Sequence, residues 1–199
     1  MTITNGYCTL DEFKAWVRVK NVSIDETDDE VIEDIIEATS RYIDGETART
    51  FYARSETRYF SVPDPPSRQL DLDDDLIAIT TLTNGDDNTI ANTEYNFIPK
   101  NVTPYRAIKL KASSTYYWTF DDDGNSEYVI SIAGTWGWAA TAPHDIRQAC
   151  LMIAISMYKR RFGENVSSTY KVTAAGIVVT PQDVPSQAAE IIRKYNRWL

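Results

Sequence analysis

The chain has 199 residues, of which 43% are hydrophobic and 12% aromatic, so it carries enough apolar material to bury a core and is not a disordered polymer. Twenty Lys and Arg against 29 Asp and Glu give a net charge of −9. That balance excludes a DNA clamp, whose affinity comes from cations displacing phosphate counterions, but not a surface that DNA slides past.

The segment Thr9-Leu10-Asp11-Glu12 has the capping-box pattern, in which a Thr hydroxyl and a Glu carboxylate satisfy the first amides of a helix. Leu10, Phe13, Trp16 and Val17 then line one face of a short helix ending near Lys20. A second box, Thr27-Asp28-Asp29-Glu30, opens a longer helix whose Val31, Ile32, Ile35, Ile36, Thr39, Tyr42 and Ile43 recur at helical spacing. Its acidic first turn suits the positive end of the helix dipole.

From Thr57 to Trp138 the period changes to two. Short strands are expected at Tyr59-Phe60, Leu70–Leu72, Leu76–Leu82, Tyr95–Phe97, Ile108–Leu110, Tyr116–Phe120 and Val129–Ile132. They are separated by turn chemistry such as Asn84-Gly85 and Asp121 to Asn125. Beyond them, Pro143 to Phe162 carries a continuous stripe of Ile146, Ala149, Cys150, Ile153, Ala154, Met157 and Tyr158, with Gly163 as its stop. Tyr170 to Val179 alternates as a hairpin would, and a last helix starts at Asp183 and runs to Trp198 with Val184, Ala188, Ile191, Ile192, Tyr195 and Trp198 inward. The segment from Glu164 to Leu199 is expected to be mainly an assembly arm with a modest share in the core, because a lone hairpin and a short helix are both marginal in water.

The fold class that follows is α+β, one domain with an insertion: a helical core of about four helices, with a mostly antiparallel β region between the second and third. Its parts are the N-terminal helices (1–56), the β insertion (57–138), the long core helix (139–163) and the C-terminal arm (164–199). No apolar run approaches the length of about 18 residues that marks a membrane span. The opening Met1 to Phe13 lacks the basic and apolar regions of a signal peptide. A soluble protein made in a cytoplasm, with no membrane partner, is expected. Cys8 and Cys150 could form one bridge, but Cys150 sits in an apolar stripe where a thiol acts as a small hydrophobe, and both are expected to be reduced.

Each candidate site has a plainer reading. Asp71, Asp73, Asp74 and Asp75 offer carboxylates to a hard cation, yet read better as a solvated turn before the Leu76 strand. Asp121, Asp123 and Asn125 open like an EF-hand loop, which fails at Ser126 and Ile132. His144 has no identifiable nucleophile or orienting partner, so no catalytic residue, metal site or cofactor is expected. Trp118, Trp136 and Trp138, with Tyr116, Tyr117 and Phe120, are candidates for core or subunit packing, with a glycan-binding platform as the alternative function. A carboxylate-dependent hydrolase ranks third, since no acid pair is nominated. Lys159, Arg160 and Arg161 stabilise a helix C-terminus or contact an acidic neighbouring subunit.

The stretches TLDEFKAWV, DDEVIEDIIEATSRYID, PHDIRQACLMIAISMYKRR and AAGIVVTPQDVPSQAAEIIRKYNRW together resemble the head-tail connector (adaptor, or head-completion) proteins of long-tailed bacteriophages. The likeness covers mainly the helices, and the long β stretch departs from the smallest, nearly all-helical members. It implies a structural virion protein of the neck, in a homo-oligomeric ring of about twelve copies below the portal protein, as closed cyclic assembly requires. Such a ring extends the DNA channel, lets DNA pass through its lumen without specific binding, and docks the next neck or tail-completion protein. The resemblance makes the hairpin and last helix the portal or neighbour contacts: Tyr170, Val172, Ile177, Val179, Arg193, Lys194, Arg197 and Trp198.

Overall fold

A computed structural model describes residues 3–18, 28–162 and 184–197. The chain divides into two compact units, one built from residues 1–49 with 141–199, the other from residues 50–140.

The first unit is helical, with α1 (Leu10–Arg18), α2 (Asp29–Thr47), α3 (His144–Phe162) and α4 (Ser186–Tyr195). The first capping box is formed as expected: the Thr9 amide donates to Glu12 Oε2 at 2.9 Å and the Glu12 amide donates to Thr9 Oγ1 at 3.2 Å. The second start differs, because Asp28 at the N-cap makes no capping bond and its carboxylate accepts the Tyr158 hydroxyl at 2.9 Å. Of that box, Thr27 lies outside the described residues.

Ile32, Ile35, Ile36 and Ile43 of α2 are buried, as expected from their spacing. On α3 the expected stripe is buried, and so are Leu151 and Ile155 outside it. α3 packs against α1, α2 and α4, so a helix expected to be apolar on one face is covered on several. Phe13 meets Tyr158 edge to face at 5.5 Å, which closes α1 onto α3.

α4 contributes two buried side chains to this core. Ala188 and Ile192 are buried, and the helix packs on both α2 and α3. Its end is tied to the end of α2: Arg49 Nε donates to the Tyr195 carbonyl at 2.6 Å, Asn196 Nδ2 to the Glu46 carbonyl at 2.9 Å, and the Arg197 amide to the Thr47 carbonyl at 3.0 Å. Orphan carbonyls at a helix C-terminus need such donors. The hairpin expected at Tyr170–Val179 lies outside the described residues.

The second unit holds β1 (Arg54–Phe60), β2 (Gln69–Thr83), β3 (Tyr95–Ile98), β4 (Tyr105–Leu110) and β5 (Ile130–Trp136) in one sheet of order β1-β5-β2-β4-β3, antiparallel at every pairing. β2 is long enough to serve two neighbours. Its Gln69 to Asp71 pair with β4 and its Leu76 to Thr83 pair with β5, with register shifts between. Such bulges bend a strand, which lets one strand serve two parts of a curved sheet. At Gly134 of β5 the backbones come so close that a Cβ would strike the Ala78 carbonyl of β2. The core of this unit gathers Phe60, Leu70, Leu72, Leu76, Leu82, Tyr95, Ile108, Leu110, Ile130, Ile132 and Trp136.

Two sequence expectations fail here. Tyr116–Phe120 is not a strand: Asn84, itself buried, donates from Nδ2 to the Tyr117 carbonyl at 2.9 Å and accepts the Thr119 amide at Oδ1 at 3.3 Å. A side-chain amide does there what a neighbouring strand would do. The Asp71 to Asp75 run is not a turn before a strand but the interior of β2, with Asp74 and Asp75 buried.

Candidate functional site

Two members of the acidic run on β2, Asp73 and Asp74, are met by arginines of the edge strand β1. Alternation along β1 puts Arg54, Glu56 and Arg58 on one face. Arg54 and Arg58 both reach Asp74 Oδ2, Arg58 at 2.9 Å, and Arg58 also holds Asp73 Oδ1 at 2.8 Å. Glu56 lies between the guanidiniums, at 3.2 Å from Arg54 and 2.5 Å from Arg58. Burial opposes its ionisation, but the bonds from Arg58 and Arg54 prevail and hold its carboxyl below the usual carboxylate range. Among the described residues no group of three or more His, Cys, Asp or Glu could hold a metal ion. Asp73, Asp74 and Glu56 are paired with arginine, and Asp71 accepts from Gln69 Nε2 at 2.8 Å. The network escapes a reading confined to neighbouring residues because β1 and β2 carry its two halves; the Arg-x-Glu-x-Arg alternation was its one local signal.

The same arginines frame Trp136. Its ring stacks on Phe60 at 6.0 Å, lies under the Arg58 guanidinium at 5.0 Å, and donates its indole N–H to the Glu56 carbonyl at 3.2 Å. Trp136 is 0% exposed and Trp118 8%. Both side chains are buried within the β unit. Trp138 is half-buried, its ring 6.0 Å from Phe51 and its amide donating to the Thr50 carbonyl at 2.7 Å. Phe120 is exposed where Trp118 is buried, so the expected common face of Tyr116, Trp118 and Phe120 does not exist. The aromatics this unit presents outward are Tyr59, Tyr117, Phe120 and Tyr128. Tyr117 lies under the Arg68 guanidinium at 4.5 Å.

The basic candidates are placed unevenly. Arg193 and Lys194 are exposed on the last turn of α4, where the helix dipole favours cations, and Arg197 is half-buried beside the end of α2. On α3, Lys159 is exposed and Arg160 half-buried, while the side chain of Arg161 lies outside the described residues. So do Tyr170, Val172, Ile177, Val179 and Trp198.

The remaining candidates have structural roles or none. Asp121 Oδ1 accepts the Asp123 amide at 3.1 Å and the Asn125 amide at 2.7 Å, and Gly124 takes a φ of +79°. That is a side-chain-stabilised turn. His144 is exposed at the start of α3. Tyr195 donates to Asp145 at 2.8 Å, and burial together with that carboxylate pushes its phenol up to about 12.

No protein-family model matches the chain, and no curated protein matches it. Solved structures do. A chain in the neck of an empty gene transfer agent (GTA) particle, in a structure with C6 symmetry, is similar with a TM-score of 0.64 at 15% identity, the match covering 98% of this chain and 92% of that one. A chain in the neck of the native particle, with C12 symmetry, gives a TM-score of 0.58 at 14% identity over the same shares. A chain in the virion of the native particle gives 0.57 at 15% identity. At such identities the likeness establishes a shared fold.

Proposed function

We propose that this chain is a structural subunit of the neck of a phage-like particle, acting as a head-tail connector (adaptor). In this reading it forms a ring of about twelve copies, docks below the portal, extends the DNA channel and presents a surface to the next neck or tail component. It acts by position and shape and not by catalysis.

The observation that carries the reading is the extent of the match: 98% of the chain aligns at a TM-score of 0.64 with a neck chain of a particle that packages and transfers genes. A match of that extent takes in both units, which a likeness of helix pairs alone would not. The C6 and C12 symmetries of the neighbouring necks support a cyclic ring, since a heterologous contact that closes produces one. Net charge supports passage of DNA without retention, because a chain at −9 repels phosphates on average. Arg193 and Lys194, exposed at the end of α4, are the described residues assigned in this reading to an acidic portal surface.

Native mass spectrometry of the purified chain mixed with the portal of the same particle tests this. The expected product is a portal ring carrying a full complement of this chain. Substitution of Arg193 and Lys194 by Glu should weaken docking about tenfold or more, as reversing rim or buried charges does. Absence of any complex with the portal would contradict the proposal.

A further inference from the structure

Cys8 and Cys150 stand 142 positions apart in sequence, yet their sulfurs are 3.4 Å apart and both side chains are buried. Cys8 belongs to the segment before α1, and Cys150 to the middle of α3. A disulfide has its sulfurs about 2.0 Å apart, so about 1.4 Å remains to close. Each thiol could fill its volume without the other; that they meet supplies both halves of a bond.

The pair is also polarised. The contact between the two sulfurs, together with burial, raises Cys8, and the same contact lowers Cys150, to which Ser40 Oγ at 3.6 Å adds. The causes that raise Cys8 act only while its segment is seated: lifting the segment ends both the contact and the burial, so the Cys8 thiol then ionises more readily. Access differs between them. The segment carrying Cys8 is held at its outer end by Arg41 to the Asn5 carbonyl at 3.0 Å and the Thr4 amide to Glu37 at 3.2 Å, and beside Cys8 by the Tyr7 amide to Ser40 Oγ at 3.0 Å and the Tyr7 hydroxyl to Asp44. A short segment on a few bonds opens locally at lower cost than a packed helix such as α3.

We propose that Cys8 and Cys150 form an oxidative cross-linking site, reduced while the chain is made and joined by a disulfide when it meets an oxidant of the peroxide class. With the segment lifted, the Cys8 thiolate attacks a peroxide oxygen; the O–O bond breaks, giving Cys8 sulfenic acid and, after proton uptake, one water. When the segment returns, the Cys150 thiol, its proton given up to solvent, attacks the Cys8 sulfur as the thiolate; the S–O bond breaks, and the departing hydroxide takes up a proton from solvent as a second water. Two thiols lose two electrons and two protons, and peroxide is reduced to water. The bond fastens the segment before α1 to α3 and constrains the unfolded chain through a 142-residue separation. It stands independently of the neck reading, although a particle that leaves a reducing cytoplasm would gain from it.

The test treats purified full-length protein with hydrogen peroxide, then denatures it in a thiol-alkylating reagent for intact mass and non-reducing peptide mapping. The expected result is a monomer lighter by two hydrogens, with no alkylation and one peptide pair joining Cys8 to Cys150. Its denaturation midpoint should move to higher denaturant and return on reduction, whereas Cys8→Ser should show no shift on oxidation. Two alkylated thiols after peroxide, a bridge between chains, Cys8 sulfinic acid beside a free Cys150, or a cross-linked protein with an unmoved midpoint would each overturn the proposal. The mass readout is taken on the unaltered chain, so it holds even where the variant fails to fold.

Discussion

The helical unit closes over side chains drawn from both ends of the chain, whereas the β unit closes over side chains drawn from one continuous stretch. The first depends on α4 returning to α2 and α3 after the β unit has intervened; the second gathers its core from within residues 50–140. The difference teaches that the C-terminal segment, which looks expendable in sequence, is part of a core, while the insertion is the more self-contained piece.

Removing α4 should have the largest effect. Truncation after Gly163 exposes the partners of Ala188 and Ile192, leaves the end of α2 without its donors Asn196 and Arg197, and takes from Arg49 its acceptor at Tyr195. The helical unit is expected to lose cooperative folding by circular dichroism and hydrogen exchange, while the β unit keeps its protection. A truncated chain whose helices unfold as sharply as before would erase the contrast drawn here.

Trp136→Ala comes next. Deleting a fully buried aromatic costs about 3–5 kcal/mol, and here it also leaves the Glu56 carbonyl without the indole N–H and Arg58 without its ring. Chemical denaturation should show that loss in the β unit alone. An effect spread equally over amides of the helical unit would show that the two are not separate folding units.

Thr9→Ala sharpens the comparison at a helix start. Loss of the cap should cost about 1 kcal/mol, read as a lower denaturation midpoint of the helical unit. No change would mean that packing of Phe13 on Tyr158 alone fixes α1.

The smallest expected effect is pH-dependent. The Tyr195 phenol sits at about 12 in the folded chain, above its ordinary value of 10. A group raised on folding contributes fully below its unfolded value and loses that contribution as pH climbs toward its folded one. The stability gap between the unaltered chain and Tyr195→Phe should therefore be constant up to pH 10 and close between 10 and 12. A gap that instead widens across that window would show that the Asp145 bond does not hold the proton.

How much could be read in advance follows the same division. Helices announce themselves because their burial is periodic within one segment, as with Ile32, Ile35, Ile36 and Ile43, and because a cap such as Thr9 with Glu12 is a local device. The breadth of burial on α3 was hidden, since Leu151 and Ile155 are covered by helices distant in sequence. In the β unit, the true length of β2 was concealed by charge. Asp73 and Asp74 read as solvated until arginines 15 to 20 positions away are seen to hold them. Tyr116–Phe120 misled for a related reason: the alternation was present, but Asn84 took the bonds a strand would have used. As for function, the sequence supplied a resemblance mainly on the helices, and the basic candidates Arg193 and Lys194 are exposed while Trp136 is not.

The central claim is that this chain is a repeated subunit of a particle neck, and electron microscopy of the assembled particle tests it most directly. Imaging the neck at a resolution that traces side chains should reveal copies of this chain related by cyclic symmetry around a central channel, in contact with the portal. A single copy on the axis, or a neck from which the chain is absent, would contradict the account.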